Sequence, residues 1–350
     1  MSTTRKRVKS VDIFRAIGII CMVCGHTSMC PQSLSRYFTC FYMPMFFCIS
    51  GYFYHETTIW NTIKKKARSL LIPYFFTGLL GTIIYYLFYN PEYPVKDAFD
   101  ALFLHSHKLT TLVSAIWFLT ALFWAEIIFT LLKKTRSEIF LGVGCTVLAL
   151  IGCSMHHFTS FRPVWCLDSA MTSVGFMYIG YLAHKYKNSK VIHRTLNMPW
   201  YGIVPLLVIN IYMSSYNHIS MWGNEYENIP LFWVNGLLGS IIWYNVSRYI
   251  DNIKFTEVRW FADRMSYIGN NSIVFLCFNM LILAAYKSIV VSAFGGWPQE
   301  PAQRHIWFVV FTVFALLVLM GIAQLNIRRK QLLNHIKQQR LERRHEKNNQ

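Results

Sequence analysis

The sequence predicts an all-α integral membrane protein with about ten transmembrane helices and both termini in the cytoplasm. Three observations predict it. Hydrophobic residues make up 54% of the 350 and charged residues only 14%, against about 25% charged in a soluble domain. That composition excludes disordered, coiled-coil, collagen-like and disulfide-stapled chains. The charge is also segregated into short clusters between long apolar runs, and those clusters alternate in density along the chain.

Residues 37–54, 69–91, 195–217, 228–247, 268–286 and 306–327 contain no Asp, Glu, Lys, Arg or His. Each is long enough to cross a hydrocarbon layer of about 30 Å. Four further segments, 11–30, 112–132, 139–155 and 169–184, are shorter or polar-interrupted. No small-residue cleavage site follows the first span, so it reads as a retained helix. With ten spans the Lys and Arg residues outside them divide 27 to five between the two sides. Basic residues near span ends resist translocation, which places the 27 in the cytoplasm. The net charge of +18 is then a membrane-topology and headgroup signal that calls for no nucleic acid. Residues 1–327 read as one polytopic domain and 328–350 as a basic cytoplasmic tail, a helix that continues from the last span and then frays, lying on the surface of the membrane lipids or in solvent, with a partner site as the alternative. The segments 90–111 and 248–267 are too short for a second domain. Nothing in the sequence specifies an oligomeric state.

Cysteines lie mostly inside spans, where they act as small apolar residues; Cys30 and Cys166, near the outer face, are the one pair placed to meet. His105, His107, His156 and His157 have no acidic or thiol companions at ligand spacing, so no metal is expected.

Ionisable groups inside a membrane are costly and mark function. The first span carries Asp12, Arg15 and His26. Eleven residues separate Arg15 from His26, about 1100° of helical rotation, so both return to one face roughly 16 Å apart. Asp12 joins the stripe one turn from Arg15 but lies about 21 Å from His26, so it complements the helix start and holds Arg15. Ser50 and Tyr52 offer hydroxyls where the second span returns to the cytoplasm, and Gly51 permits close backbone approach. Lys65 and Arg68, one turn apart at the entrance of the third span, form a cationic pair suited to a phosphorylated ligand, or simply to membrane anchoring.

These residues together resemble the membrane-bound acyltransferase-3 family, the O-acetylases of bacterial surface sugars and their relatives. The matching features are Asp12-x-x-Arg15 with His26, then Met43-Pro44-Met45-Phe46-Phe47 with Ser50-Gly51-Tyr52, then Lys65-x-x-Arg68 with Pro73-Tyr74. Weaker echoes are Ile116-Trp117-Phe118-Leu119, Phe176 to Gly180 and Ile268 to Ser272. The Trp-Phe-Leu version is similar to the fucose 4-O-acetylase-like subgroup. The resemblance implies transfer of acetyl from cytoplasmic acetyl-CoA, as co-substrate, to a hydroxyl of a cell-surface or lipid-linked carbohydrate at the bacterial inner membrane. It implies that His26 is catalytic with Arg15 beside it. Lys65, Arg68 and Ser50 are then the donor-binding candidates. Many members carry an acidic residue at the position of Leu122; here Glu126 lies one turn on, either as a displaced orienter of His26 or as a separate polar contact. Members also often carry a histidine at the position of Asn279. His26 could act as general base or carry the acetyl group covalently. A secondary transporter or flippase is the rival reading, though no internal repeat supports it.

Overall fold

The computed structural model describes residues 8–296 and 300–348; Arg5, Lys6 and Arg7 of the basic count lie outside them. It is built from helices. The first two, α1 (Lys9–His26) and α2 (Gln32–Tyr52), are joined by a short link. Next come α3 (Ile59–Lys66) and α4 (Ile72–Phe88), which run on through a π-helical segment, Ala67–Leu71. There the Ile72 N–H donates to Ala67 O, five residues back. The wider turn accommodates Pro73, which has no N–H to give to the ordinary partner four residues back. Then follow α5 (Val95–Phe103), α6 (Trp117–Lys133), α7 (Glu138–Phe158) and α8 (Leu167–Lys185). After α9 (Lys190–Leu196) and α10 (Trp200–Ser214) a two-stranded hairpin intervenes, β1 (Ile219–Ser220) and β2 (Glu225–Tyr226). The chain ends with α11 (Ile229–Asn252), α12 (Thr256–Asn270), α13 (Ser272–Phe294) and α14 (Pro301–Asn348).

All ten apolar segments of the sequence fall on helices. Among the described residues six helices are long and apolar enough to cross a membrane, and the α9–α10 pair, bent by 77°, would make a seventh. The three that fall short, α1, α2 and α8, are central. α1 is packed by α2, α11, α12, α13 and α14, while α2 packs on α8 and α11, and α8 also on α6 and α7. Enclosed by protein rather than lipid, they tolerate polar residues that a lipid-facing helix could not.

Several boundaries differ from the sequence reading, each for a local reason. The basic cluster Lys64–Lys66 is helical, because Thr58 caps α3 by accepting from the Asn61 N–H, one of the orphan donors of a helix start. The segment 195–217 is broken at Pro199, whereas α14 continues helically past 327/328, as the sequence suggests for the tail. The amphipathic helix α12 stands where only a connecting segment was expected; it lies along α1, with Lys9 Nζ 2.8 Å from Asp263 Oδ1. All nine cysteines are free; Cys166 Sγ sits 3.2 Å from Ser106 Oγ.

Two backbone crossings hold the centre. Gly51 of α2 faces the Met177 carbonyl of α8, and Gly180 of α8 faces the Cys48 carbonyl of α2, so each helix supplies the small residue that lets the other approach. Gly269 of α12 faces the Asp12 carbonyl of α1 in the same way. A Cβ at any of these positions would overlap main-chain atoms that cannot move aside. Gly51→Ala and Gly180→Ala should each cost about 1–3 kcal/mol, read as a lower melting temperature of the detergent-solubilised protein. Gly321→Ala, which meets nothing within 4 Å, should leave it unchanged or slightly raised.

Candidate functional site

The stripe on α1 survives folding. Asp12 is buried, and Arg15 Nη1 donates to its Oδ1 at 3.3 Å; the Arg15 guanidinium also lies over the Phe53 ring, 5.9 Å from its centroid. At the other end of α1, His26 Nδ1 lies 3.0 Å from Asn279 Oδ1. The Asn279 amide donates its Nδ2 hydrogens to Phe275 O at 3.1 Å and Leu276 O at 2.7 Å. Its oxygen is therefore the group turned to the imidazole, and an oxygen can only accept. His26 carries its proton on Nδ1, which leaves the Nε2 lone pair free as base or nucleophile. Asn279, buried on α13, occupies the position where a second histidine was the family expectation, and its oxygen faces the imidazole.

Two cavities flank this line. One, of about 350 Å³, is lined by His26, Tyr42, Met43, Trp117 and the β1–β2 hairpin. The second, of about 340 Å³, is lined by Arg15, Met43, Ser50, Leu122 and residues 269–276. Met43, 3% exposed, is the residue common to both. The two ends of the polar stripe thus line two different cavities that share the Met43 side chain.

Of the donor-side candidates, Ser50 and Arg15 line the second cavity together. Ser50 Oγ also donates to the Glu126 carboxylate, which is buried and receives Lys66 Nζ as well. Of the two roles open to Glu126, its contacts are those of the separate polar one; it is not brought to His26. Lys65 and Arg68 are both exposed, and among the described residues neither makes an ion pair. Lys66 is the cation turned inward. Its selection could not be seen from spacing, since three consecutive lysines differ only in helix phase, and the π-turn that follows shifts the phase of Arg68 relative to them.

The hairpin over the His26 cavity is tied down by other elements. Ser169 Oγ of α8 donates to Met221 O at 2.7 Å, Arg162 Nη2 to Trp222 O at 2.9 Å, and Asn224 Nδ2 to Gly152 O of α7 at 2.8 Å. Arg162 is held in turn by buried Asp168, with Nε and Oδ2 2.6 Å apart. Beside it His107 is partly buried, and burial first, then the charges of Arg162, His105 and Lys108, push its imidazole down to about 4, Asp100 opposing.

Two outcomes follow. Lys66→Met leaves a buried carboxylate without its cation and should lower stability by on the order of 3 kcal/mol, whereas Lys65→Met should change it by less than about 0.5 kcal/mol; thermal unfolding in detergent reads both. His107 binds its proton less readily folded than unfolded, so the unfolded state takes up more protons between about pH 6.5 and 4. Its contribution is intact above pH 6.5 and is lost as the pH falls through that window. Replacing it in His107→Gln should flatten the acid side of the stability profile there, measured as melting temperature against pH.

A family model described as an acyltransferase domain matches residues 8–324. No curated protein and no solved structure shows significant similarity to the chain. A match over nearly the whole length of a helical, multi-pass membrane bundle, with the Arg15 and His26 stripe at its centre, settles its class: the chain belongs to the acyltransferase-3 family.

Proposed function

We propose that this membrane acyltransferase moves an acetyl group from cytoplasmic acetyl-CoA to a hydroxyl of a cell-surface or lipid-linked carbohydrate. The observation that carries the reading is the pair of cavities meeting at Met43, with Arg15 in one and His26 in the other. The ends of the bundle rich in Lys and Arg face the cytoplasm of a bacterial inner membrane, by the bias of basic residues against translocation. The Arg15 cavity is then the donor side. Arg15, Lys65 and Arg68 supply positive charge for the phosphates of CoA, and the Ser50 hydroxyl lines the channel along which the thioester reaches Met43.

The chemistry needs one base. An acceptor hydroxyl in the His26 cavity gives its proton to Nε2 as its oxygen attacks the thioester carbonyl. The C–S bond of the tetrahedral adduct breaks, and the imidazolium returns the proton to the departing thiolate. Acetyl ends on the acceptor oxygen, and CoA leaves as the free thiol. Nδ1–H of His26, bonded to Asn279, holds the ring in place while the charge passes through it. Arg15 is too far along α1 to touch that carbonyl, about 16 Å by helical rise, so its task is the donor's phosphates and channel.

Purified protein in liposomes, given radiolabelled acetyl-CoA, should release CoA. His26→Ala should lower that release by about 10²–10⁴-fold, with the fold checked by gel filtration, and Arg15→Ala should raise the KM for acetyl-CoA. Asn279→Leu should lower kcat by at least about tenfold, with little change in the KM for acetyl-CoA. CoA release unchanged in His26→Ala would remove histidine catalysis. Failure of acetyl-CoA to bind at all would return the chain to the transporter class.

A further inference from the structure

The hairpin that closes the His26 cavity is more than a cover. Its backbone is fixed at three points by Ser169, Arg162 and Asn224, and its turn is set by Asn224 in the left-handed conformation (φ 56°). Ile219, Met221 and Tyr226 are buried beneath it. Its remaining side chains are treated differently. Trp222 is 42% exposed, and Glu225 is exposed with no hydrogen bond or ion pair among the described residues. Both line the cavity that contains His26, as does His218 at the hairpin's start. A rigid loop that buries its apolar residues against the bundle has no packing reason to turn an indole and a free carboxylate toward the chamber that holds His26.

The chamber's composition says what would fill it. Its polar lining consists of hydroxyls, imidazoles and one carboxylate, with neither Lys nor Arg among the lining residues. Arg162, the nearest cation to the hairpin, is spent on Asp168 and on main-chain carbonyls. A phosphate, sulfate or carboxylate bound there would meet no Lys or Arg and would face Glu225. A neutral ring with adjacent hydroxyls fits. Two O–H groups can donate to the two oxygens of one carboxylate, and the C–H face of the ring can lie on an indole.

We propose that the hairpin is the acceptor-recognition element of this enzyme. It takes an uncharged, polyhydroxylated sugar ring, with Glu225 accepting from a pair of its hydroxyls and Trp222 packing on its apolar face, so that a further hydroxyl is presented to His26. This rests on the acyl-transfer reading and narrows it, since it assigns the charge state of the acceptor unit and two residues that select it.

The test uses full-length protein in lipid nanodiscs, where both faces are open, with acetyl-CoA and two sets of probes. One set is methyl galactopyranoside, methyl glucopyranoside and methyl fucopyranoside; the other is methyl galacturonide and galactose 6-phosphate. CoA release and the mass of the product sugar are followed for wild type, Trp222→Ala, Trp222→Phe and Glu225→Gln. The uncharged set should accelerate CoA release and gain one acetyl group, and the charged set should not. Trp222→Ala and Glu225→Gln should each raise the KM for the pyranoside by about tenfold or more, while the KM for acetyl-CoA stays within about twofold. Trp222→Phe, which keeps an aromatic face, should recover most of the loss. Preference for the charged probes, or a pyranoside KM indifferent to both substitutions, overturns the assignment. So does slow cleavage of acetyl-CoA that no pyranoside accelerates, and in that case acyl transfer itself stands. Absence of acetyl-CoA binding instead defeats the underlying reading.

Discussion

Three ionisable residues on one membrane helix cannot be left facing lipid, and the rest of the bundle answers that constraint. Asp12, Arg15 and His26 lie along α1, and desolvating such groups in hydrocarbon without partners costs several kcal/mol each. α1 is accordingly enclosed by five other helices. Gly269 lets the α12 backbone pass against the Asp12 carbonyl of α1, and Gly51 and Gly180 let α2, itself packed on α1, cross α8 closely. Polar groups thereby gain protein partners: Arg15 has Asp12 and the Phe53 ring, His26 has Asn279, and Glu126 has Lys66 and Ser50.

Enclosure alone would make an inert core. Two openings make it a site. The cavities that share Met43 lie at the two ends of the stripe, with Arg15 lining one and His26 the other. Methionine is suited to that place, being long, unbranched and able to change rotamer without losing a branched packing shape. The electrostatics are divided in the same way. Arg15 lines one chamber, while the chamber holding His26 has no Lys or Arg in its walls.

Much of this was legible in the residues. The apolar runs announced a helical membrane bundle, and all ten fell on helices. The eleven-residue interval between Arg15 and His26 placed both on one face because helical periodicity is a local property. Asn279 was visible as a departure from the family pattern, yet its contact with His26 joins residues 253 apart in sequence, which no local rule reports. Glu126 was equally visible, but its partner could not be chosen in advance: Lys65 and Lys66 are adjacent, and only the packed helix shows which one points inward. The hairpin escaped notice because residues 218–226 are short, polar and carry no periodic signal.

By itself the sequence determined that this chain is a polytopic membrane protein of the acyltransferase-3 type. It also determined that Asp12, Arg15 and His26 would share one face of the first helix, since hydropathy, helical phase and charge placement act over a few residues and need no partner to be read. The tertiary structure decided everything that depends on long-range contact: which nitrogen of His26 faces Asn279, which lysine neutralises Glu126, that Met43 lines two chambers, and which loop lines the His26 cavity. Those outcomes are set by how helices distant in sequence pack, and packing is decided by the shapes of both surfaces together.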